Sequence, residues 1–506
     1  MRSLLAPTPV FIPAILLVLF APPLVRADGP ATGAVMDGGA GPSIHERELR
    51  DWKRRETAGW RPWVDPQTTR APRALGPRAL TREVHGFHPY WMGSAYTSYD
   101  WSVISTVAFF SLELGATGAI VADHGWPWTT LVSTAHQNAT RVIVTATLFD
   151  GPSIDALLSS PANRANAVSN LVGEVVAGAA DGVNVDFEGV PGARKQDLVS
   201  FLGELQTALA AAVPSPYLTI ATPAVDWNNA FDYDELAARC DHLLVMAYDY
   251  HWPGSATTGP VSPLAGWGTH NVTWTVNDYQ TWGATPDKML LGVPYYGYRW
   301  GAVSGDPGAA TTSSGLARTY DQAKSEADTH GTLWDATSST PWYRYQDPDW
   351  FQGWFDDAAS LPAKYAFVES ENLAGVGIWA LGYDGSRPEL WTALGAAFGS
   401  GTGAPAVAAS GTGAGVRLVN AGANPFRERA AFRFETARPG AVRLGVYDAT
   451  GRLVRTLSDS FRAAGEVAVA SWDGRDAAGR PVAAGVYLVR LETAGHVSSL
   501  RVVRLR

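Results

Sequence analysis

Eight short apolar runs, rich in β-branched residues, recur along the middle of the chain and are separated by helical or loop segments. Runs of this length and composition are typical of buried strands. They cover residues 84–91, 103–113, 141–149, 182–188, 217–224, 242–250, 289–298 and 375–383. Strands that alternate with helices form parallel sheets, and eight such units can close on themselves. The pattern therefore predicts an α/β fold, a (β/α)8 TIM barrel over residues 81–399.

Two segments break this alternation. Residues 299–370 are too long for a simple helical crossover, so we expect an α+β insertion between strands 7 and 8 that forms one wall of a cleft. Residues 416–506 change to short strands of period 2 with turn dipeptides between them, which predicts a separate, all-β, immunoglobulin-like sandwich. The Gly, Ala and Ser-rich residues 400–415 are typical of a flexible linker.

The amino-terminal part has a different character. Arg2, an apolar run over residues 10–20 and the small residue Ala27 predict a signal peptide over residues 1–27, with an uncleaved membrane anchor as the alternative. Residues 28–80 are rich in Gly, Ala, Pro and Arg, which predicts a mostly disordered leader, although a charged stretch from Glu46 to Glu56 could be helical. We therefore expect a secreted protein that acts outside the cell or at its surface.

Composition narrows the classes of function. The formal net charge is −9 with no basic cluster, which argues against a nucleic-acid partner. The single cysteine, Cys240, cannot form an internal disulfide. The 20 Trp residues exceed what a core needs and suggest that some of them stack on a ligand. No metal or cofactor site is expected, because His85 and His88 have no partner at ligand spacing.

The fourth run, residues 181–188, carries the most specific chemistry. Alternation along a strand sends Asn184, Asp186 and Glu188 to one face and the apolar residues to the other. Unpaired buried carboxylates cost several kcal/mol, so two on one buried face point to function. The alternative is an edge strand whose polar face meets water.

These carboxylates suit cleavage of a glycosidic bond. Glu188 is the candidate acid, and like-charge repulsion from Asp186 would raise its pKa. Tyr248 can donate a hydrogen bond to developing charge, and Trp379 offers a flat surface for a sugar ring, although a core role for Trp379 is the alternative. Polar and aromatic residues at other strand ends complete the candidate substrate site: Tyr90, Asp249, Tyr295 and Tyr296.

Residues 83–398 resemble glycoside hydrolase family 18, the chitinases and related N-acetylglucosaminidases, whose DGxxxDxE signature matches Asp181, Gly182, Asp186 and Glu188. Further matches are Met246-Ala-Tyr-Asp249, Gly292-Val-Pro-Tyr-Tyr-Gly297 and Gly377-Ile-Trp379. The opening HGFHPYW and the stretch WFDDAASLPAKYAF resemble the branch that acts on spore cortex and other peptidoglycan-type glycans.

The resemblance implies substrate-assisted catalysis, in which the acetamido oxygen of the sugar attacks its own anomeric carbon. Glu188 would then be general acid and base, Asp186 would orient the acetamido nitrogen, and Tyr248 would bind the acetamido carbonyl. Asp249 would support the substrate and Trp379 would form the floor of the subsite; Asp181 and Asn184 are the remaining candidate contacts. Many chitinases have Asp where this chain has Asn184, which affects the expected pH optimum more than the activity.

The last 90 or so residues resemble the FlgD-like immunoglobulin fold and the related type 9 secretion sorting domains. The match rests on Asn424-Pro-Phe426, Val446-Tyr-Asp-Ala-Thr-Gly451, Trp472-Asp-Gly474 and Gly485-Val-Tyr487. The resemblance implies contact with a cell surface or a secretion machinery, with a plain spacer or a carbohydrate-binding sandwich as alternatives.

We therefore expect a secreted glycosidase that acts on a β-1,4-linked N-acetylglucosamine polysaccharide, with chitin and peptidoglycan both open. A non-catalytic, lectin-like glycan-binding protein is the alternative, and retention of Asp186, Glu188 and Tyr248 argues against it because binding alone needs no proton donor. A purely structural surface protein would require the acidic row to be incidental.

Overall fold

The computed structural model describes residues 41–67, 80–399, 416–420, 426–427, 429–436, 440–448, 452–462, 468–493 and 496–505. The chain divides into two compact units between Ala404 and Pro405. The predicted signal peptide and the predicted linker at 400–415 lie outside the described residues. Within the described ranges, every helix is too short or too polar to span a bilayer.

The first unit is built on a closed barrel of eight parallel strands, as predicted. In chain order the sheet contains β1 (Glu83–Pro89), β2 (Thr106–Leu114), β3 (Ile120–Ala122), β4 (Arg141–Leu148), β5 (Gly182–Phe187), β6 (Tyr217–Pro223), β7 (His242–Met246), β8 (Met289–Pro294) and, after five inserted strands, β14 (Gly375–Trp379). The spatial order is β1-β14-β8-β7-β6-β5-β4-β2, and the pairing of β1 with β2 closes the barrel. The short β3 pairs antiparallel with the end of β2.

Helices surround this barrel. Those of the first unit are α1 (Ile44–Thr57), α2 (Thr129–Gln137), α3 (Gly151–Ser159), α4 (Pro161–Gly178), α5 (Lys195–Ala212), α6 (Tyr233–Arg239), α7 (Val272–Thr281), α8 (Tyr320–His330), α9 (Leu361–Ser370) and α10 (Glu389–Phe398). The alternation of β5 has the predicted consequence for packing: Phe187 points outward and stacks on Phe201 of α5, with ring centroids 5.6 Å apart. Its polar neighbours in sequence therefore face the barrel interior.

The predicted insertion is present, but its limits differ from 299–370. It is an antiparallel sheet of β9 (Tyr296–Ala302), β10 (Leu316–Thr319), β11 (Leu333–Asp335), β12 (Thr340–Asp347) and β13 (Asp349–Phe355), in the order β10-β9-β13-β12-β11, with α8 packed on it. The extended chain passes from β8 to β9 with one residue between them, so a single apolar run hides the boundary. The predicted end is too late, because α9 is the barrel helix that precedes β14.

The second unit contains two antiparallel sheets, consistent with the predicted sandwich. One sheet has the order β15-β16-β19 and the other β18-β17-β20-β21. Their strands are β15 (Val416–Asn420), β16 (Ala430–Thr436), β17 (Gly440–Asp448), β18 (Leu453–Arg462), β19 (Ala468–Trp472), β20 (Gly485–Thr493) and β21 (His496–Arg504). Fully buried Trp472, Phe432 and Val489 belong to its hydrophobic core.

The prediction of a mostly disordered leader over 28–80 is wrong for its described residues 41–67, although the charged stretch from Glu46 to Glu56 is helical, as the sequence allowed. These residues contain α1, which begins at the cap residue Ser43, whose side chain accepts a hydrogen bond from the Glu46 amide. A 14-residue helix of this composition is marginal alone in water. Packing against the barrel stabilises α1, and no local sequence signal reports that packing.

Gly182, the signature glycine of β5, lies too close to β6 to carry a side chain. A Cβ atom on Gly182 would lie 1.8 Å from the Tyr217 carbonyl oxygen of β6, so Gly182→Ala forces two paired strands apart. We expect a loss of about 2 kcal/mol or more in the free energy of unfolding, measured by chemical denaturation. The matched control is Gly173→Ala on the exposed face of α4, where nothing lies within 4 Å of the added carbon. That change should stabilise by about 0.5 to 1 kcal/mol; equal effects of the two substitutions would contradict the steric argument.

Candidate active site

The two signature carboxylates lie at the carboxyl end of β5, at the mouth of the barrel. Asp186 is fully buried, and Glu188 follows the strand with its side chain 13% exposed. Below them Asn184 is also buried, and its Oδ1 accepts a hydrogen bond from the Thr219 hydroxyl at 2.8 Å. The inward face of β5 therefore presents a polar row that ends in a carboxyl group at the opening.

Glu188 has the properties of a proton donor. Burial raises the pKa of its carboxyl group well above the ordinary range, and repulsion from Asp186 is the second cause. The sequence predicted only the repulsion, because the depth at which a side chain sits depends on the surrounding fold. A carboxyl group with a raised pKa remains protonated near neutral pH and can act as a general acid.

A group of phenols lies beside the carboxylates. Asp249, in a left-handed backbone conformation with φ of 59°, accepts hydrogen bonds from the hydroxyls of Tyr296 at 2.5 Å and Tyr298 at 2.8 Å. The Tyr248 ring lies 5.9 Å from that of Tyr296. Burial, and then the charges of Asp186 and Glu188, raise the pKa of Tyr248 well above 10, so its hydroxyl remains a hydrogen-bond donor.

Trp379 forms the floor of the site at the end of β14. Its side chain is fully buried, and its ring packs against Phe87 and Phe110 at centroid distances of 5.3 and 4.8 Å. The imidazole of His45 stacks on this ring at 3.8 Å, with 28° between the planes. The ring is therefore both a part of the core and a surface on which a planar group stacks.

Helix α1 lies across this opening and contacts the site directly. The Ser43 hydroxyl donates to Glu188 at 2.8 Å, and His45 places Nδ1 2.8 Å from Asp186 and Nε2 2.8 Å from the Tyr248 hydroxyl. One further turn along the helix, Glu48 accepts hydrogen bonds from the Trp379 indole at 2.9 Å and the Tyr383 hydroxyl at 2.7 Å. Burial raises the pKa of Glu48 to about 7.

A cavity of about 700 Å³ remains open beyond the amino-terminal end of α1. Three tryptophans lie along it, and Trp227 is 53% exposed. The lining includes Gly41, Pro42, Ser43, Glu188, Trp227, Trp252 and Trp267. The cavity is large enough for a sugar residue or more, and aromatic rings are the surfaces on which sugars stack.

Three of the predicted site residues lie apart from this group. Asp181 lies seven residues before Glu188, roughly 23 Å along the strand, where its carboxylate accepts from the Val142 amide and pairs with His136. Tyr295 faces the opposite side of the chain from Tyr296, with Tyr365 and Asp384 among its neighbours. Tyr90 is at the barrel mouth, but it donates its hydroxyl hydrogen bond to Glu56 of α1. Asn184 lies below the group and is bonded to Thr219, and the remaining predicted residues are brought together: Asp186, Glu188, Tyr248, Asp249, Tyr296 and Trp379.

Comparison with known proteins agrees with this geometry. A family model described as glycosyl hydrolases family 18 matches residues 116–384, more than half of the chain.

The chain belongs to glycosyl hydrolases family 18.

A second model, described as the FlgD Ig-like domain, matches residues 423–496 in the other unit.

Several curated proteins are similar to this family 18 chain. Human di-N-acetylchitobiase is 25% identical over 340 residues, which cover 59% of the chain and 80% of the chitobiase. The cortical fragment-lytic enzyme of Bacillus subtilis is 26% identical over 308 residues, 56% of the chain and 66% of that enzyme. YdhD of the same organism is 29% identical over 260 residues, and the chain spans 59% of its length.

Solved structures share the fold. The family 18 chitinase of Cycas revoluta in complex with (GlcNAc)3 superposes with a TM-score of 0.57 at 18% identity, covering 62% of the chain and 99% of the chitinase. The spore cortex-lytic enzyme SleL of Bacillus megaterium gives a TM-score of 0.54 at 20% identity, covering 64% and 75%. At these identities the likeness extends to the fold alone.

Sequence reasoning missed several residues of this family 18 site. Tyr298 shares a face of β9 with Tyr296, so the period of 2 could have identified it. His45, Arg47 and Glu48 could not be identified in this way, because they belong to a mostly disordered leader in the prediction, and the possible helix from Glu46 to Glu56 gave no sign of contact with the barrel. No pattern in the sequence joins that segment to strands more than a hundred residues away.

The raised pKa of Glu188 predicts how stability depends on pH. In the unfolded chain Glu188 loses its proton near pH 4.5, whereas in the folded chain it keeps the proton to higher pH. The folded state is therefore penalised as pH rises above about 4.5. Glu188→Gln removes this penalty, so the melting temperature of the variant relative to the parent should rise between pH 4 and pH 7, by about 2 °C for each kcal/mol.

Differential scanning calorimetry at several pH values measures this difference. The control is Glu371→Gln at the C-cap of α9, the helix that precedes β14. A difference for Glu188→Gln that does not change with pH would mean that its carboxyl group is not held in the protonated form.

Proposed function

We propose that this family 18 chain hydrolyses β-1,4 bonds in N-acetylglucosamine-containing glycans by substrate-assisted, retaining catalysis. One observation carries the proposal: an acceptor on Asp186 and a donor on Tyr248 face the same space above Trp379, beside a carboxyl group with a raised pKa. A 2-acetamido group offers the complementary N–H donor and carbonyl acceptor. The arrangement therefore suits a sugar that carries this substituent.

The proposed reaction has two steps. Glu188 gives its proton to the glycosidic oxygen while the C1–O bond breaks, and the acetamido carbonyl oxygen bonds to C1 from the other face. Asp186 accepts the acetamido N–H and stabilises the positive oxazolinium. Glu188, now a carboxylate, takes a proton from the water that attacks C1 while the bond between C1 and the acetamido oxygen breaks. This step restores the acid and the acetamido group and retains the configuration at C1.

Tyr248 and the phenols around Asp249 complete this scheme. The Tyr248 hydroxyl donates to the acetamido carbonyl oxygen and holds it near C1, which raises the effective concentration of the internal nucleophile. Asp249 accepts from two phenols and orients the tyrosine wall next to it. Chitin and peptidoglycan both carry the required acetamido group. The similarity to di-N-acetylchitobiase supports chitin, and the similarity to the cortical fragment-lytic enzyme supports peptidoglycan.

Activity on oligosaccharides tests the proposal. The full chain should release product from chitooligosaccharides or from purified peptidoglycan, with the β-anomer formed first by NMR, and Glu188→Gln should lower kcat by at least about a hundredfold. Glu371→Gln is the matched control and should leave kcat unchanged. The parent chain and both variants are also compared in a His45→Ala background, because His45 lies between Asp186 and Tyr248. Saccharide binding without product in either background would favour the lectin alternative.

We also propose that the protein is exported and attached to or retained at a surface. The charged start, apolar run and small residue of positions 1–27 support export, and the similarity of residues 423–496 to the FlgD Ig-like domain supports a contact outside the barrel. Expression in a bacterium with sequencing of the mature amino terminus should find a start close to residue 28. Leu16→Arg in the apolar run should abolish processing, and unprocessed chain in both cases would contradict a cleaved signal peptide and favour the uncleaved anchor.

A further inference from the structure

Helix α1 occupies the place that the proposed reaction assigns to the sugar. Its contacts follow the site from one end to the other: Ser43 to Glu188, His45 to Asp186 and Tyr248, and Glu48 to Trp379. Arg47 pairs with Asp249 at 2.7 Å and donates to Tyr298. Each of these barrel residues either has a role in the proposed mechanism or lies against a residue that does.

The ring of His45 reproduces the hydrogen-bonding pattern of an acetamido group. A neutral imidazole has one N–H and one acceptor nitrogen. When Nδ1–H donates to Asp186, Nε2 accepts from the Tyr248 hydroxyl, which are the two bonds that an acetamido N–H and carbonyl would make. The ring is also planar and stacks on Trp379 at 3.8 Å, which is van der Waals contact. A sugar cannot occupy this space while the imidazole is there.

The remaining contacts hold α1 along the barrel mouth. Lys53 pairs with Glu113 at the end of β2, at 2.7 Å, and Trp52 stacks on Trp91 with 5.9 Å between ring centroids. Tyr90 donates to Glu56 in the last turn. The docking therefore extends over the length of the helix rather than resting on its first turn.

The chemistry of the buried face argues against a purely structural helix. A helix that only completes a core buries apolar side chains on its inner face. Helix α1 does bury Ile44 and Leu49 in this way, but it also buries His45 completely, and the Glu48 carboxyl group accepts hydrogen bonds from the Trp379 indole and the Tyr383 hydroxyl. Burying such groups is costly unless they are paired, and the barrel groups that pair with them are those of the site.

We propose that residues 41–57 are an intramolecular inhibitor, with His45 as a mimic of the 2-acetamido group, so that the docked chain is a latent form of the hydrolase. This inference rests on the proposed function. A tethered segment acts at an effective concentration in the millimolar range, so a substrate must displace α1 before it can bind. Release of α1 exposes Trp379, Asp186 and Glu188 together.

Weakening the docking should therefore increase activity. His45→Ala removes the stacked ring and both hydrogen bonds, and we expect kcat/KM for a fluorogenic chitobioside to rise at least tenfold, mainly through a lower KM. Arg54→Ala is the matched control, since Arg54 is on the same helix with its side chain 78% exposed, and it should change kcat/KM less than twofold. A fall in kcat/KM for His45→Ala would make His45 a part of the substrate site and overturn the proposal, as would no change.

One condition is held constant in these assays. His45, Asp186 and Glu188 each offer a ligand atom, and these atoms lie within 4.8 Å of one another. All assays contain EDTA, which removes any divalent cation that the three residues could bind. An increase that persists in EDTA arises from release of the helix.

A second measurement separates the inhibitor from the proposed function. Hydrogen exchange of the amides of residues 44–57 in the full chain should be slow without ligand and become faster with saturating (GlcNAc)3, while α8 serves as the internal control. If (GlcNAc)3 binds and these amides stay protected, the inhibitor is refuted and the hydrolase stands. If no saccharide binds to the full chain or to His45→Ala, the proposed function fails and the inhibitor with it.

Discussion

The burial of two adjacent carboxyl groups at the end of β5 is the constraint on which the rest of this site depends. Asp186 and Glu188 are two residues apart on one face, so the strand fixes their separation, and the barrel and α1 together bury them. Burial then raises the pKa of Glu188 more than the charge of its neighbour does. A carboxyl group held in this way destabilises the fold at neutral pH, and the proposed mechanism uses it first as a proton donor and then as a base.

Residues of both the barrel and its insertion surround Asp186 and Glu188. Strand ends of the barrel supply Tyr248, Asp249 and the Trp379 floor, whereas β9 of the insertion supplies Tyr296 and Tyr298 as a wall of phenols. The wall is oriented through Asp249, which accepts from both hydroxyls. A parallel barrel is suited to this because all its carboxyl ends meet at one opening.

Helix α1 completes the set of groups around the carboxylates from outside the barrel. Polar groups in a closed site require partners when no substrate is present, and here the chain supplies them from its own leader: the hydroxyl of Ser43, the imidazole of His45 and the carboxyl of Glu48. An intramolecular inhibitor of this kind provides hydrogen-bond partners for the polar groups of the site and at the same time blocks the binding of substrate.

Alternation and strand-end chemistry are local properties, so the barrel, its eight strands, the sandwich and the common face of Asp186 and Glu188 could be predicted from the sequence. The signature residues followed from the resemblance to family 18. Tertiary structure alone decided which signature residues share the site: Asp181 lies at the far end of β5 and Tyr295 faces away from Tyr296. It alone also decided that α1 folds. A helix of 14 residues gains its stability from distant strands, and contacts over such sequence separations leave no periodic trace in the chain.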